Sequence, residues 1–134
     1  MDVVLRTHTD DPSLAFRRVR RLGPADGYEC ELHVRSAGFV LARSFWFEPS
    51  DLAACIDDLR IMDRDLAGAA ELRTRYEDNF VRFDVSARGV VTVSGTATEY
   101  SALGQSLRFA FETDQTVLRP LAEDLAALAR PVAT

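Results

Sequence analysis

The stretch Tyr28-Glu29-Cys30-Glu31-Leu32-His33-Val34-Arg35-Ser36, then Ala37-Gly38, then Phe39 to Phe47, decides the fold. Successive side chains of a strand point to opposite faces. Tyr28, Cys30, Leu32 and Val34 therefore share one face, and Glu29, Glu31, His33 and Arg35 share the other. Ala37-Gly38 turns the chain into a second strand, with Phe39, Leu41, Phe45 and Phe47 on one side and Val40, Ala42 and Trp46 on the other. A strand apolar on both faces is expected to be central and covered twice, once by a helix. That helix follows at once. Pro49-Ser50-Asp51 reads as its start, with Ser50 as N-cap and Asp51 at the positive end of the dipole. Leu52, Cys55, Ile56, Leu59 and Met62 then recur at helical spacing, a single apolar stripe.

Outward from this unit the pattern repeats. Val3 to His8 and Ser13 to Arg21 read as strands, although Leu14 and Phe16 alternate while Phe16, Val19 and Leu22 stand three apart. Gly68 closes the first helical segment. Ala70 to Tyr76, Phe80 to Ser86, Val90 to Thr98 and the Leu107-Phe109-Phe111 alternation read as further strands, with Ala87-Arg88-Gly89 as a hairpin turn and Gly95 as a bulge. Leu118, Leu121, Ala122, Leu125 and Leu128 form a second helical stripe, with Pro120 in its first turn and Arg130-Pro131 at its end. The expected fold class is α+β: a mainly antiparallel twisted sheet or half-open barrel with two helices, ordered strands-helix-strands-helix. One domain, 1–134, accounts for it. Phe39, Leu41, Phe45, Phe47, Phe83, Phe109 and Phe111 are expected to share one core with Leu52, Ile56, Leu59, Leu121, Leu125 and Leu128.

At 134 residues, 47% hydrophobic and 28% charged, the chain can bury a core without a disulfide or metal. It has no apolar run near the roughly 18 residues of a membrane span and no apolar signal core near its start. A cytoplasmic protein is expected, with Cys30 and Cys55 as buried free thiols. All 16 basic residues are arginine, and asparagine occurs only at Asn79. That bias points to a GC-rich bacterial source. A net charge of −5 disfavours direct nucleic-acid binding. The Arg17, Arg18, Arg20, Arg21 cluster is expected to pair with carboxylates or lie in solvent.

No catalytic motif emerges. Cys30 and His33 lie three apart on a strand and face opposite ways, so they cannot share an ion. Glu29, Glu31 and His33 do share a face, but alternate strand residues stand about 6.6 Å apart, too wide for a compact metal site alone. Adjacent Asp57 and Asp58 diverge by about 100° on a helix and do not converge on one proton; Glu77-Asp78 reads as an acidic turn. No Gly-rich phosphate loop or nucleophile elbow is present, so no cofactor is expected. The charge distribution is uneven. Glu48 to Asp84 holds ten acidic residues and five arginines. Asp51, Asp57, Asp58, Asp63 and Asp65 on or just beyond one helix are the candidate partner-binding residues, suited to a basic partner.

Leu107-Arg108-Phe109-Ala110-Phe111-Glu112-Thr113-Asp114-Gln115-Thr116, with Leu118, Pro120 and Leu121, resembles the bacterial WapI-like immunity proteins of polymorphic toxin systems. Gly38-Phe39, Phe45 to Phe47, Asp51-Leu52, Leu66 to Leu72 and Gly89 to Gly95 fit the same outline, and the likeness spans roughly residues 27 to 130. The resemblance implies a non-enzymatic, antitoxin-like protein that binds a cognate toxin domain, often a nuclease, inside the producing cell. It supplies no catalytic residues. Asp114 or Thr116 reads as a cap for the last helix. A ligand-binding or enzymatic domain with a scattered site, and a structural module such as a homodimer, remain the alternative classes.

Overall fold

A computed structural model describes residues 1–23, 26–74 and 78–130; Tyr76, Glu77 and Pro131, singled out above, lie outside them. The first four strands are β1 (Val3–Val4), β2 (Ser13–Gly23), β3 (Gly27–Ser36) and β4 (Phe39–Phe47), followed by helix α1 (Pro49–Asp65). Strands β5 (Ala69–Arg73), β6 (Phe80–Val85), β7 (Val90–Glu99) and β8 (Gln105–Asp114) then lead through a 3-10 turn, Gln115–Val117, into α2 (Leu118–Leu128). Each half is one antiparallel four-stranded sheet in sequential order, β1-β2-β3-β4 and β5-β6-β7-β8, plus a helix. This is the expected α+β order, and the sheets do not close into a barrel. No helix among the described residues is long and apolar enough to cross a membrane.

The alternating faces do what their spacing dictates. Tyr28, Cys30, Leu32 and Val34 are buried, as is the whole α1 stripe from Leu52 to Met62. α1 and α2 pack against each other, and the inner faces of both sheets and both helices contribute to one apolar cluster. Of the expected core, only Phe39 is absent. It is 69% exposed, while Leu128 is half-buried and packs against the cluster.

Four local expectations need correction, each for a physical reason. β4 is not central: it ends its sheet, and among the described residues no further strand pairs with it. Its outer face is uncovered, so Val40 is 64% exposed although the sequence is apolar there. Glu48, not Ser50, occupies the N-cap of α1, because the helix starts two residues earlier, at Pro49, where a missing amide costs nothing. Gly95 is not a bulge. It pairs in continuous register with Val81 and Phe109. Lastly, the strand starting at Val3 ends at Val4.

The bulge lies instead in β2, where pairing with β3 slips between Arg17 and Arg20 and Arg18 takes φ 53°. The extra residue resets the alternation, which explains why Leu14, Phe16 and Val19 are all buried despite their uneven spacing. Asp2 holds the bulge, accepting from the Arg18 backbone N–H at 2.8 Å. That bond, with the nearby Arg17 guanidinium, holds the Asp2 carboxyl below its usual range. Asp114 accepts from the backbone N–H and the hydroxyl of Thr116 and so caps the 3-10 turn Gln115–Val117; α2 itself begins after Val117 with no side-chain cap, so neither Asp114 nor Thr116 caps the last helix directly.

Candidate partner-binding surfaces

The two cysteines belong to the core and not to a site. Both are free and buried. Desolvation, with nearby carboxylates, pushes each thiol up to about 12, so neither is a thiolate nucleophile near neutral pH. At pH 8 a thiol reagent is therefore expected to leave both unmodified in the native chain and to modify both in denaturant. Rapid native labelling would show that one of them is accessible.

Three of the four clustered arginines pair with carboxylates, and the fourth lies over an aromatic ring. Arg17 pairs with Asp2 at 3.4 Å, Arg18 with Glu31 at 2.9 Å and Arg20 with Glu29 at 2.6 Å, while Arg21 lies over the Tyr28 ring. His33 donates to Glu31 as well, and with Arg18 it holds that carboxyl below the usual range. The Glu29, Glu31, His33 face is thus a cross-strand ion-pair ladder. Among the described residues no group of three His, Cys, Asp or Glu side chains is placed to hold a metal.

The five candidate aspartates do not form one face. Asp51 is half-buried in the first turn of α1. Asp63 turns toward the second helix and pairs with Arg119 at 3.2 Å. Asp65 pairs with its neighbour Arg64 at 2.8 Å, which lowers its pKa. Asp57 and Asp58 are exposed on the outer side of α1, and among the described residues no ion pair neutralises either. At about 100° per residue they diverge around the helix, so they present two adjacent spots of negative charge and not a single chelating pair.

A second surface is legible only in three dimensions. Val40, Leu41 and Arg43 of β4 face Gln105, Ser106 and Leu107 of β8 across an open groove of about 460 Å³. Ala97 and Glu99 of β7 line it too, paired across the hairpin with Leu107 and Gln105, so this wall is a face of the β7–β8 hairpin and the groove lies between the ends of the two sheets. The apolar pattern on both faces of β4 was its one sequence signal. Asn79, the single asparagine, serves the structure. Its side-chain oxygen accepts from Thr98 N–H at 2.8 Å and its carbonyl from Thr74 N–H at 3.0 Å, fixing the approach to β6.

Among solved structures, the MRP1/MRP2 crystal structure from Trypanosoma brucei is similar, at 15% sequence identity and TM-score 0.53, over 96% of this chain and 82% of that one. At that identity the likeness is one of fold alone. No curated protein sequence gives a significant match. The WapI-like immunity protein family model matches residues 9–132, taking in both halves of the fold, and the chain therefore belongs to that family.

Proposed function

We propose that this chain is a non-enzymatic immunity protein that binds and neutralises a cognate toxin inside the producing cell, and that the toxin domain is basic, as a nuclease would be. Family membership carries the reading. Asp57 and Asp58 on α1, exposed and without an ion pair among the described residues, support a basic partner. Asp51, Asp63 and Asp65 belong to the same acidic region, but the pairing of Asp63 and Asp65 with arginines leaves most of the available field to Asp57 and Asp58. No cofactor, membrane or nucleic acid enters the scheme. The decisive experiment is co-expression with a toxin domain taken from a neighbouring gene, followed by growth rescue and pull-down. No rescue and no co-purification would reject the proposal.

The charge has a kinetic signature. Neither Asp57 nor Asp58 packs in the α1 stripe, so Asp57→Asn with Asp58→Asn leaves the fold intact. Steering by a field acts on the association rate. The double variant is expected to associate about three- to tenfold more slowly at low salt, with the difference shrinking as added salt shortens the screening length. Equal association rates at low salt would remove this face from the interface.

A further inference from the structure

At the groove between the two sheets, the inner faces run on past the shared core. Arg43 alternates with Leu41 and Phe45 on β4, so it stands on the core-facing side of the first sheet, yet it is exposed. Across the groove Ala97 and Glu99 stand on the core-facing side of β7, paired with Leu107 and Gln105. The floor is apolar. Leu41 and Ala97 are each 7% exposed, and Leu107 packs against the core cluster. The lips are apolar as well, and they protrude. Phe39, at the start of β4, is 69% exposed, and Leu103, at the tip of the β7–β8 hairpin, is 95% exposed. The Leu103 turn is closed by the Gly104 N–H donating to the Ser101 carbonyl at 3.0 Å. Val40 and Tyr100, next to the groove in the chain, are exposed too. Such clustering marks an interaction site more than chance exposure does.

The charges of the groove specify an occupant. Arg43 on the β4 wall has no carboxylate partner among the described residues, and Glu99 on the β7 wall takes only the Ser101 hydroxyl, at 2.7 Å. One cation and one anion on opposite walls suit a partner that brings the same two groups in reverse order. A second copy of this chain does so. In a two-fold contact, if one residue meets another, the second also meets the first, so Arg43 to Glu99 and Glu99 to Arg43 form together. The apolar shapes obey the same rule. A protruding lip beside a groove on one chain is matched by a groove beside a lip on the copy turned about the axis. A basic domain, by contrast, is drawn to the acidic surface of α1 and not to a balanced groove. Two chains that each carry a net charge of −5 repel, and a surface of balanced charge is where they can meet.

We propose that two copies of this chain form a two-fold dimer through this groove, with Leu103 of each seated in the groove of the other and Arg43 of each paired with Glu99 of the other. The dimer does not depend on toxin binding. No residue of α1 or α2 lines the groove, so Asp57 and Asp58 of both copies stay free and the dimer can carry two toxin domains. One lip and one groove per chain make a contact smaller than the roughly 800 Å² per partner of a standard interface. The dimer is therefore reversible and depends on concentration.

The test uses the purified full chain. Sedimentation across a concentration series should carry the mass from 14.9 kDa to twice that value and no further, as a closed two-fold contact requires. Leu103→Asp, Arg43→Glu and Glu99→Arg all change side chains outside the buried core. Each should keep the monomer's melting temperature and raise the dimer dissociation constant about tenfold or more. Mixing the Arg43→Glu and Glu99→Arg chains should restore association. One copy then carries carboxylates at both positions and the other guanidiniums, so both reciprocal pairs form between them. A parent chain that keeps its mass of 14.9 kDa at millimolar concentration overturns the dimer. Three variants that dimerise like the parent, or a mixture that stays monomeric, overturn this interface. A monomeric parent whose Leu103→Asp variant loses toxin binding would show that the toxin fills the groove, and would overturn the assignment to a second copy.

Discussion

Phe109→Ala is expected to lower the unfolding free energy by about 3–5 kcal/mol, the range for removing a buried aromatic ring. Phe109 is 6% exposed on the inner face of β8, inside the shared core. Its ring lies against Gly95 of the neighbouring strand, which has no side chain to relax into the vacated space. The cavity therefore stays open, and the cost should fall toward the upper part of the range. A domain of this size has only about 5–15 kcal/mol in total, so the variant should unfold at much lower urea with an unchanged m-value. A loss under about 1 kcal/mol, well below the usual cost of such a truncation, would mean that the ring is not packed as described. The consequence for function is concentration: a chain that spends more time unfolded protects less, even with Asp57 and Asp58 untouched.

How much of this was legible in the sequence follows from what each signal encodes. A strand or helix that buries one face writes its period directly, so β3 and α1 could be read residue by residue, and the stripe Leu52, Cys55, Ile56, Leu59, Met62 is buried throughout. Position within a sheet is not written that way. β4 is apolar on both faces, which implies cover; whether a helix of the same chain or another molecule provides it depends on strand order. The chain leaves it at an edge. The bulge at Arg18 was visible only as a stumble in the alternation, because the residue that fixes it, Asp2, is remote in sequence. The acidic run overstated the candidate site for a similar reason. Counting charges cannot show that Asp63 finds Arg119 in α2, 56 residues away. Asp57 and Asp58 stay exposed because nothing among the described residues folds over them.

The glycine at position 95 gives the sharpest test of this packing. A Cβ built there would sit far inside contact distance of the Phe80 carbonyl oxygen and 2.5 Å from Phe109 Cζ. Gly95 is thus required by close approach and not by an unusual backbone, since it stands in regular register between Val81 and Phe109. Overpacking of this kind usually costs about 1–3 kcal/mol and more where the surroundings cannot move. Here one obstacle is backbone held in the β6–β7 ladder, so Gly95→Ala is expected to cost about 3 kcal/mol or more. The two obstacles can be separated. Phe109→Leu removes the ring but leaves the Phe80 carbonyl where it is. In that background Gly95→Ala should still destabilise, but by less than in the parent, a coupling of at least about 0.5 kcal/mol between neighbours that share a contact. Strict additivity in urea unfolding would show that ring and glycine do not touch. Full rescue would show that the carbonyl yields and that the β6–β7 ladder is softer than its continuous register implies.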